Sequence, residues 1–328
     1  MINLLKRRTV IAVAFVSTLT ATTQVSAQSD YPNKPISWIV AYPAGGGSDF
    51  LARTVANRLS KQLGQSIVIE NRPGAATIVG AQAASRAAPD GYTIFTADNG
   101  SLVFNPALYS NLPYKTSDFA AVGLMARFPL ILVSNTSTGY ATAKAVIDDA
   151  KANPQKISYA SPGAGGPHHL AMELLKNQAG IEAQHIAYKG AAPAVQDLVS
   201  GQIPVMMLDT ATAFAHLKGG KIKPLAVASA ARLPQLPDVP TFKELGYAGV
   251  EVYAWQGLVV PAATPAAIRQ KLSEELVKTM ADPETKKLLT DFGLEVVSSD
   301  SKQMTTYIES ETKIWHRLIR DSGIKLEN

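Results

Sequence analysis

Two turns carry the residues best placed for chemistry: Tyr42-Pro43-Ala44-Gly45-Gly46-Gly47-Ser48-Asp49 and Ser161-Pro162-Gly163-Ala164-Gly165-Gly166-Pro167-His168-His169. Each follows an apolar run and opens a segment with helical spacing. The first turn of a helix leaves backbone N–H groups unpaired and carries about half a positive charge. A glycine turn that lets a ligand approach it therefore binds carboxylate or phosphate without a lysine. Two such turns, roughly 120 positions apart, read as two halves of one anion clamp, presented by two lobes.

The side chains around the turns allow more than one role. Asp49 reads as the N-cap of the first helix, yet its charge would repel an anion unless it meets a donor. His168 at a first helical turn can help hold a carboxylate, with His169 a weaker candidate. The polar residues Asp98, Asn99 and Ser101, and likewise Asp209, Thr210 and Thr212, close apolar runs. Such residues serve as helix caps or complete a ligand shell at the carboxyl ends of strands.

Other chemistries lack their signatures. His185, His216 and His316 are scattered and neither H-E-x-x-H nor H-x-H occurs, so no metal site and no cofactor are expected. Ser161 does not stand in G-x-S-x-G, the second turn lacks the last glycine of G-x-G-x-x-G, and no G-K-[ST] follows either turn. Nothing in the sequence organises a nucleophile and a base, so binding is expected and an exported α/β hydrolase is the remote alternative.

Behind these turns stand recognisable elements. Residues 36–41 form a buried-type strand, and Leu51, Val55, Leu59 and Leu63 recur every fourth residue until Gly64 stops the helix. Strands at 67–70 and 92–96 follow. The second unit repeats the grammar with a helix over 141–152, a strand over 157–160, the second turn and a helix ending near Gly180. A further helix at 194–198 and strands at 205–208 and 224–228 complete it. Strands separated by helices imply a mostly parallel α/β sheet. Residues 250–261 are long enough to cross between lobes, and helices starting at Thr264-Pro265, at Asp282-Pro283 and around Met304, Ile308, Trp315 and Ile319 close the chain.

Composition narrows the setting. Lys6, Arg7 and Arg8 precede an uncharged stretch and then Val25-Ser26-Ala27, which reads as an export signal over residues 1–27 cleaved after Ala27. That segment holds three basic and no acidic residues, so the mature chain keeps 28 basic against 26 acidic, a net +2. A nucleic-acid footprint is not expected from that balance. The 328 residues include no cysteine, which excludes disulfides, thiolate metal sites and a lipidated cysteine tether.

Several spaced motifs then point to one family. Residues 31–36 (YPNKPI), 43–46 (PAGG) with Asp49, Ala52 and Arg53, 63–65 (LGQ), 70–75 (ENRPGA) and 89–93 (PDGYT) resemble the periplasmic receptors of tripartite tricarboxylate transporters, the Bordetella uptake gene family. The likeness continues through 185–190 (HIAYKG), 236–241 (LPDVPT), 255–258 (WQGL) and 323–325 (GIK). It implies a two-lobed Venus flytrap of the type II periplasmic binding class, with residues 28–125 and 250–328 as one lobe and 126–249 as the other. The resemblance also implies a monomeric periplasmic receptor that closes over a small organic acid and delivers it to a membrane permease. Carried over by position, the carboxylate is held by Ala44, Gly45, Gly46 and Asp49 from one lobe and Ser161, Gly165, Gly166 and His168 from the other, with Asp209 and Thr210 lining the pocket. Tyr42, Ser48, Asp98 and Asn99 complete the candidate shell. Thr77 stands where the family often has glycine, so the distal pocket is expected to differ in shape. The ligand stays open among aliphatic, amino and aromatic acids, Tyr42, Phe50 and Trp255 being candidates to flank a ring, and a sensor feeding a two-component system is the alternative role.

Overall fold

The computed structural model describes residues 31–326; the expected leader and its cleavage site lie outside the described residues. From Pro32 onward the chain forms one unit. Its elements are β1 (Ile36–Val40), α1 (Gly47–Leu63), β2 (Ile67–Asn71), α2 (Ile78–Ser85), β3 (Thr93–Asp98), α3 (Asn105–Leu108), β4 (Phe119–Asn135), α4 (Ala143–Ala152), β5 (Ser158–Ser161) and α5 (Pro167–Ala179), then β6 (Gln184–Ala187), α6 (Ala191–Ser200), β7 (Val205–Asp209), α7 (Thr210–Leu217), β8 (Ile222–Val227), β9 (Tyr253–Pro261), α8 (Ala266–Ala281), α9 (Pro283–Asp291), β10 (Glu295–Val296) and α10 (Ser301–Asp321). A short π-helix, Gly100–Phe104, joins β3 to α3.

The strands lie in the order β2-β1-β3-β9-β4-β7-β5-β6, with β8 and β10 also paired to β4. Where helices separate consecutive strands the pairing is parallel, as in β1 with β2 and β3 and in β5 with β6 and β7. The centre is antiparallel, because β9 returns from far along the chain to pair β3 on one side and β4 on the other. The long strand β4 serves both wings. Its register runs against β9 as far as Pro129 and against β7 from Leu130.

The apolar runs are continuous because both faces of this sheet are covered. Leu130 and Leu132 of β4, with Val205 and Met207 of β7 and Tyr159 of β5, enter one hydrophobic cluster. Their alternates Ile131, Val133, Met206, Leu208 and Ala160 enter the other, the two-residue period of a strand sending successive side chains to opposite sides. The closing helix α10 brings Trp315 edge-on to Phe104 at 5.0 Å, so the C-terminal segment packs beside the polar ends of β3 and α3.

Helix starts separate two kinds of N-terminus. The side chains of Thr142, Asp209, Asp282 and Asp300 accept hydrogen bonds from the first turns of α4, α7, α9 and α10. By contrast α1 and α5 begin at extended glycines, Gly46 (ψ 176°) and Gly166 (ψ 169°), and like α2, α3, α6 and α8 have no side-chain cap. Asp49 is therefore not the N-cap expected from the sequence. The helix starts two residues earlier, at Gly47, and Asp49 sits in its first turn.

Candidate functional site

The β1–α1 turn is shaped from within. Asp49 is buried, and its carboxylate accepts the Gly45 N–H, the Asn71 amide N–H and the Arg53 Nε–H, each at 2.9 Å. Burial opposes ionisation of this group, but the bonds from Arg53, Gly45 and Asn71 outweigh it and hold the carboxyl below its usual range. An acid in the first turn that reaches back past the N-cap to the N–H before it works like the returning half of a capping box, shifted by one residue. Its charge is thus satisfied inside the turn, which leaves Pro43, Ala44, Gly45 and Gly46 exposed.

The β5–α5 turn is more deeply set. Gly165 takes φ +76° and is buried, its Cα facing Leu108 and Leu326. Ser161 is fully buried, with Oγ 2.9 Å from the Gly163 carbonyl and 2.7 Å from His185 Nε2. No local pattern signals a serine in contact with an imidazole. The pair nevertheless serves as a tie within the turn, because the hydroxyl is sealed from solvent and shared with a backbone carbonyl.

The ends of β3 and β7 join these turns. Tyr42 of the first turn donates its hydroxyl to Asp98, while His168 Nε2 of the second lies 3.3 Å from Asp209 Oδ2, and Asp209 is near enough to act electrostatically on Tyr42. Burial pushes both Tyr42 and Asp98 up; hydrogen bonds from Tyr42 and Ser101 return only part of the shift to Asp98. Asp209 behaves oppositely. Burial would raise it, but the bonds from His168 and from the Thr212 N–H and hydroxyl hold its carboxyl down. Ser48, one residue into α1, bonds to the amide of Gln256 on β9, the residue opposite Asp98 in the β3–β9 register. An added Cβ at Gly47 would lie 3.0 Å from Phe128 and 3.6 Å from Ala211, so the first turn also abuts the start of α7.

The structure thus gathers Tyr42, Ser48, Asp98, His168 and Asp209. Others among the expected residues are directed elsewhere. Asn99 donates to the Tyr253 carbonyl at 3.0 Å, and the Thr210 hydroxyl donates to the Gly293 carbonyl. The role of Phe50 as a ring flank is also taken, since it stacks on Phe292 at 4.0 Å. Trp255 is fully buried, its indole N–H donating to Glu311 at 3.2 Å.

Thr77 occupies a distinct place. Ala75, Ala76 and Thr77 all have positive φ, at 44°, 49° and 74°, a conformation that costs an L-residue roughly 1–2 kcal/mol. The run is pinned by Asn105, whose Nδ2 donates to the Ala76 carbonyl at 2.8 Å. Among the described residues the buried Thr77 hydroxyl and the Gln256 Oε1 have no protein partner, so both remain able to bond a ligand. Asn105→Ala removes the pin and is expected to lower unfolding free energy by about 1–3 kcal/mol in urea titrations; an unchanged midpoint would show that the turn holds itself.

Sequence reasoning missed Gln256, Asn105 and the pairing of the buried His169 with the half-buried His185. A polar residue inside the apolar run 255–261 was the available signal for Gln256. A cavity of about 480 Å³ lined by Ala230, Arg232, Thr241 and Glu244 includes none of the turn residues, and its Arg232–Glu244 ion pair at 3.0 Å is exposed, so it carries none of this chemistry.

Comparison with known proteins places this geometry among receptors. Residues 51–324 match the family model described as tripartite tricarboxylate transporter family receptor. Protein BugT of Bordetella pertussis is 31% identical over 315 residues, covering 95% of this chain and 96% of that protein. The structure of Rpa4515 of R. palustris with adipate superposes with a TM-score of 0.84 at 30% identity, over 91% of this chain and all of the other. MatC from Rhodopseudomonas palustris with bound malate gives 0.79 at 28% identity, over 88% of this chain and all of the other.

Proposed function

The chain belongs to the tripartite tricarboxylate transporter receptor family, a family of solute receptors and not of enzymes with the two-lobed mixed α/β fold of periplasmic binding proteins, and from that premise we propose how it works. It captures one carboxylate of a small organic acid between the β1–α1 and β5–α5 turns and hands the acid to a membrane permease. The observation that carries this reading is that both glycine turns open long helices, α1 and α5, at extended glycines with no side-chain cap. Helices α2, α3, α6 and α8 also lack a cap, but none of them begins at an extended glycine, and α4, α7, α9 and α10 have theirs. Backbone N–H groups at those two starts are thereby kept for an anion.

The rest of the candidate shell takes secondary parts. Ala44, Gly45 and Gly46 on one side, and Ser161, Gly165 and Gly166 on the other, contribute backbone and shape. Tyr42, Ser48, His168 and Asp209 hold the two turns in register, and Asp49 acts as a positioning residue for the first turn through Gly45. Thr77 and Gln256 are both buried, and each keeps an unspent polar atom for the remainder of the ligand. The lobes divide at residues 28–125 with 250–328, and 126–249, consistent with β4 changing partner between Pro129 and Leu130. Closure of the lobes over the acid stabilises the form that a permease recognises, by the difference in affinity between open and closed states. Export to the periplasm as a monomer, with the leader removed after Ala27, belongs to the same reading.

A thermal-denaturation screen of the mature chain tests it. Adipate, malate, aspartate and an aromatic dicarboxylate are the first probes, and a true ligand at 100 times its Kd adds about 2.7 kcal/mol. Stabilisation by at least one carboxylate, lost on conversion to its amide, is the expected result. Stabilisation by amines or sugars, with none from a broad carboxylate set, would overturn it.

A further inference from the structure

Beneath the second glycine turn lies a stack of rings that the binding geometry does not use directly. His169 on α5 and His185 on β6 lie face to face, with centroids 3.8 Å apart and planes within 9°. Tyr159 on β5 lies beside His185 at 5.0 Å and 6.3 Å from His169, its plane within about 22° of both. The parallel β5–β6 register sets Tyr159 beside His185, and α5, packed on the strand, lays His169 over both.

The hydrogen bonds fix how the outer imidazole is used. The Gly165 N–H donates to His169 Nδ1 at 3.0 Å, so Nδ1 presents a lone pair and the ring proton resides on Nε2, which faces Glu173 Oε1 at 3.8 Å. Gly165 can hardly find another place for this amide. It is buried at φ +76°, with no room on the side of Leu108 and Leu326. The Gly165 end of the turn is therefore held by one imidazole lone pair, while the Ser161 end has its own ties.

We propose that His169 is a positioning residue for the ligand-holding turn, and that proton uptake at its Nδ1 releases Gly165 and loosens that turn. Protonated Nδ1 would present an N–H to the Gly165 N–H, turning a bond into a repulsion. Every neighbouring ionisable group bears on this step. From α5 come Glu173 and Lys176, from β5 Tyr159, and from β6 His185. The one acid, Glu173, already accepts from Lys176 at 2.8 Å and from Tyr159 at 2.5 Å, so little of its charge is left to welcome a second cation. Burial first, then the adjacent His185, lowers His169 to about 4, with Glu173 opposing them; burial likewise lowers His185. The turn then holds near neutrality and yields as pH falls towards 4. That a loosened turn frees the ligand rests on the proposed function, but the turn itself is read without one.

The test is NMR on the ligand-free, ¹⁵N-labelled mature chain. At pH 7 the His169 ring is expected as the Nε2–H tautomer, and the Gly165 amide as strongly protected from hydrogen exchange after correction for intrinsic rates. Lowering the pH from 7 to 4 should reduce that protection at least tenfold, with the midpoint of the His169 titration. His169→Asn, whose side-chain oxygen supplies an acceptor near Nδ1 that does not titrate, should retain protection and remove its pH dependence. His169→Phe keeps the stack but lacks the acceptor, and should lose protection at both pH values while circular dichroism reports a folded chain. Gly165 protection that is flat in the wild type from pH 7 to 4, or intact in His169→Phe, overturns the proposal. Because no ligand enters, either result is distinct from failure of the carboxylate reading.

Discussion

Gly165→Ala is expected to lower the unfolding free energy by about 2–5 kcal/mol, combining left-handed backbone strain with overpacking. The backbone part follows from φ +76°. The packing part is larger, since the added methyl would sit 2.5 Å from Leu108 Cδ1 and 2.8 Å from Leu326 Cδ1, well inside any real carbon contact. Leu108 is 2% exposed and cannot swing away without opening the cluster around it. Gly45→Ala is the internal control. Its φ is +84°, but nothing lies within 4 Å of the new methyl, so only the backbone strain of about 1 kcal/mol applies. Urea unfolding of both variants at pH 7 separates the two contributions. Equal losses would mean that the leucines yield freely and that the second turn is not wedged as described.

That wedge illustrates where the sequence stops being legible. The glycine turns, the apolar four-residue repeat of α1 and the two-sided strands β4, β5 and β7 announce themselves locally, because each depends on neighbours within one turn or one strand. Leu108 and Leu326 meeting at Gly165, or Gln256 meeting Ser48 across 208 positions, depend on how the closing helix and the returning strand β9 are laid against the first wing. No local pattern encodes strand direction either, which is why an antiparallel centre lies between parallel wings. Asp49 shows a subtler limit. Ser48 and Asp49 are both good cap residues by type, but the chain enters helix at Gly47, and the aspartate is more useful reaching back to Gly45 while held by Arg53 and Asn71. Similarly, His168 and His169 are adjacent in sequence with unlike duties, one beside Asp209 and one buried against His185, because consecutive helical residues point about 100° apart.

Gly46→Val is expected to leave a folded chain that no longer gains stability from its carboxylate. Gly46 has φ −86° and ψ 176°, a conformation open to any L-residue, and the nearest atom to an added Cβ is the Pro43 carbonyl at 3.8 Å. Valine is a poor N-cap, yet this penalty is only about 1 kcal/mol. Its two methyls would stand over the exposed N–H groups that open α1, where an anion must come within hydrogen-bond distance. If affinity drops 100-fold, a ligand supplied at 100 times the wild-type Kd stabilises the variant by about 0.4 kcal/mol in place of about 2.7. Parallel denaturation of wild type and variant, each with and without the acid that wins the screen, measures this difference of about 2.3 kcal/mol. Full ligand-induced stabilisation in Gly46→Val would remove the first turn from the binding site, whereas its loss in a variant that stays folded and gives up no more than about 1 kcal/mol without ligand ties the anion to the uncapped start of α1.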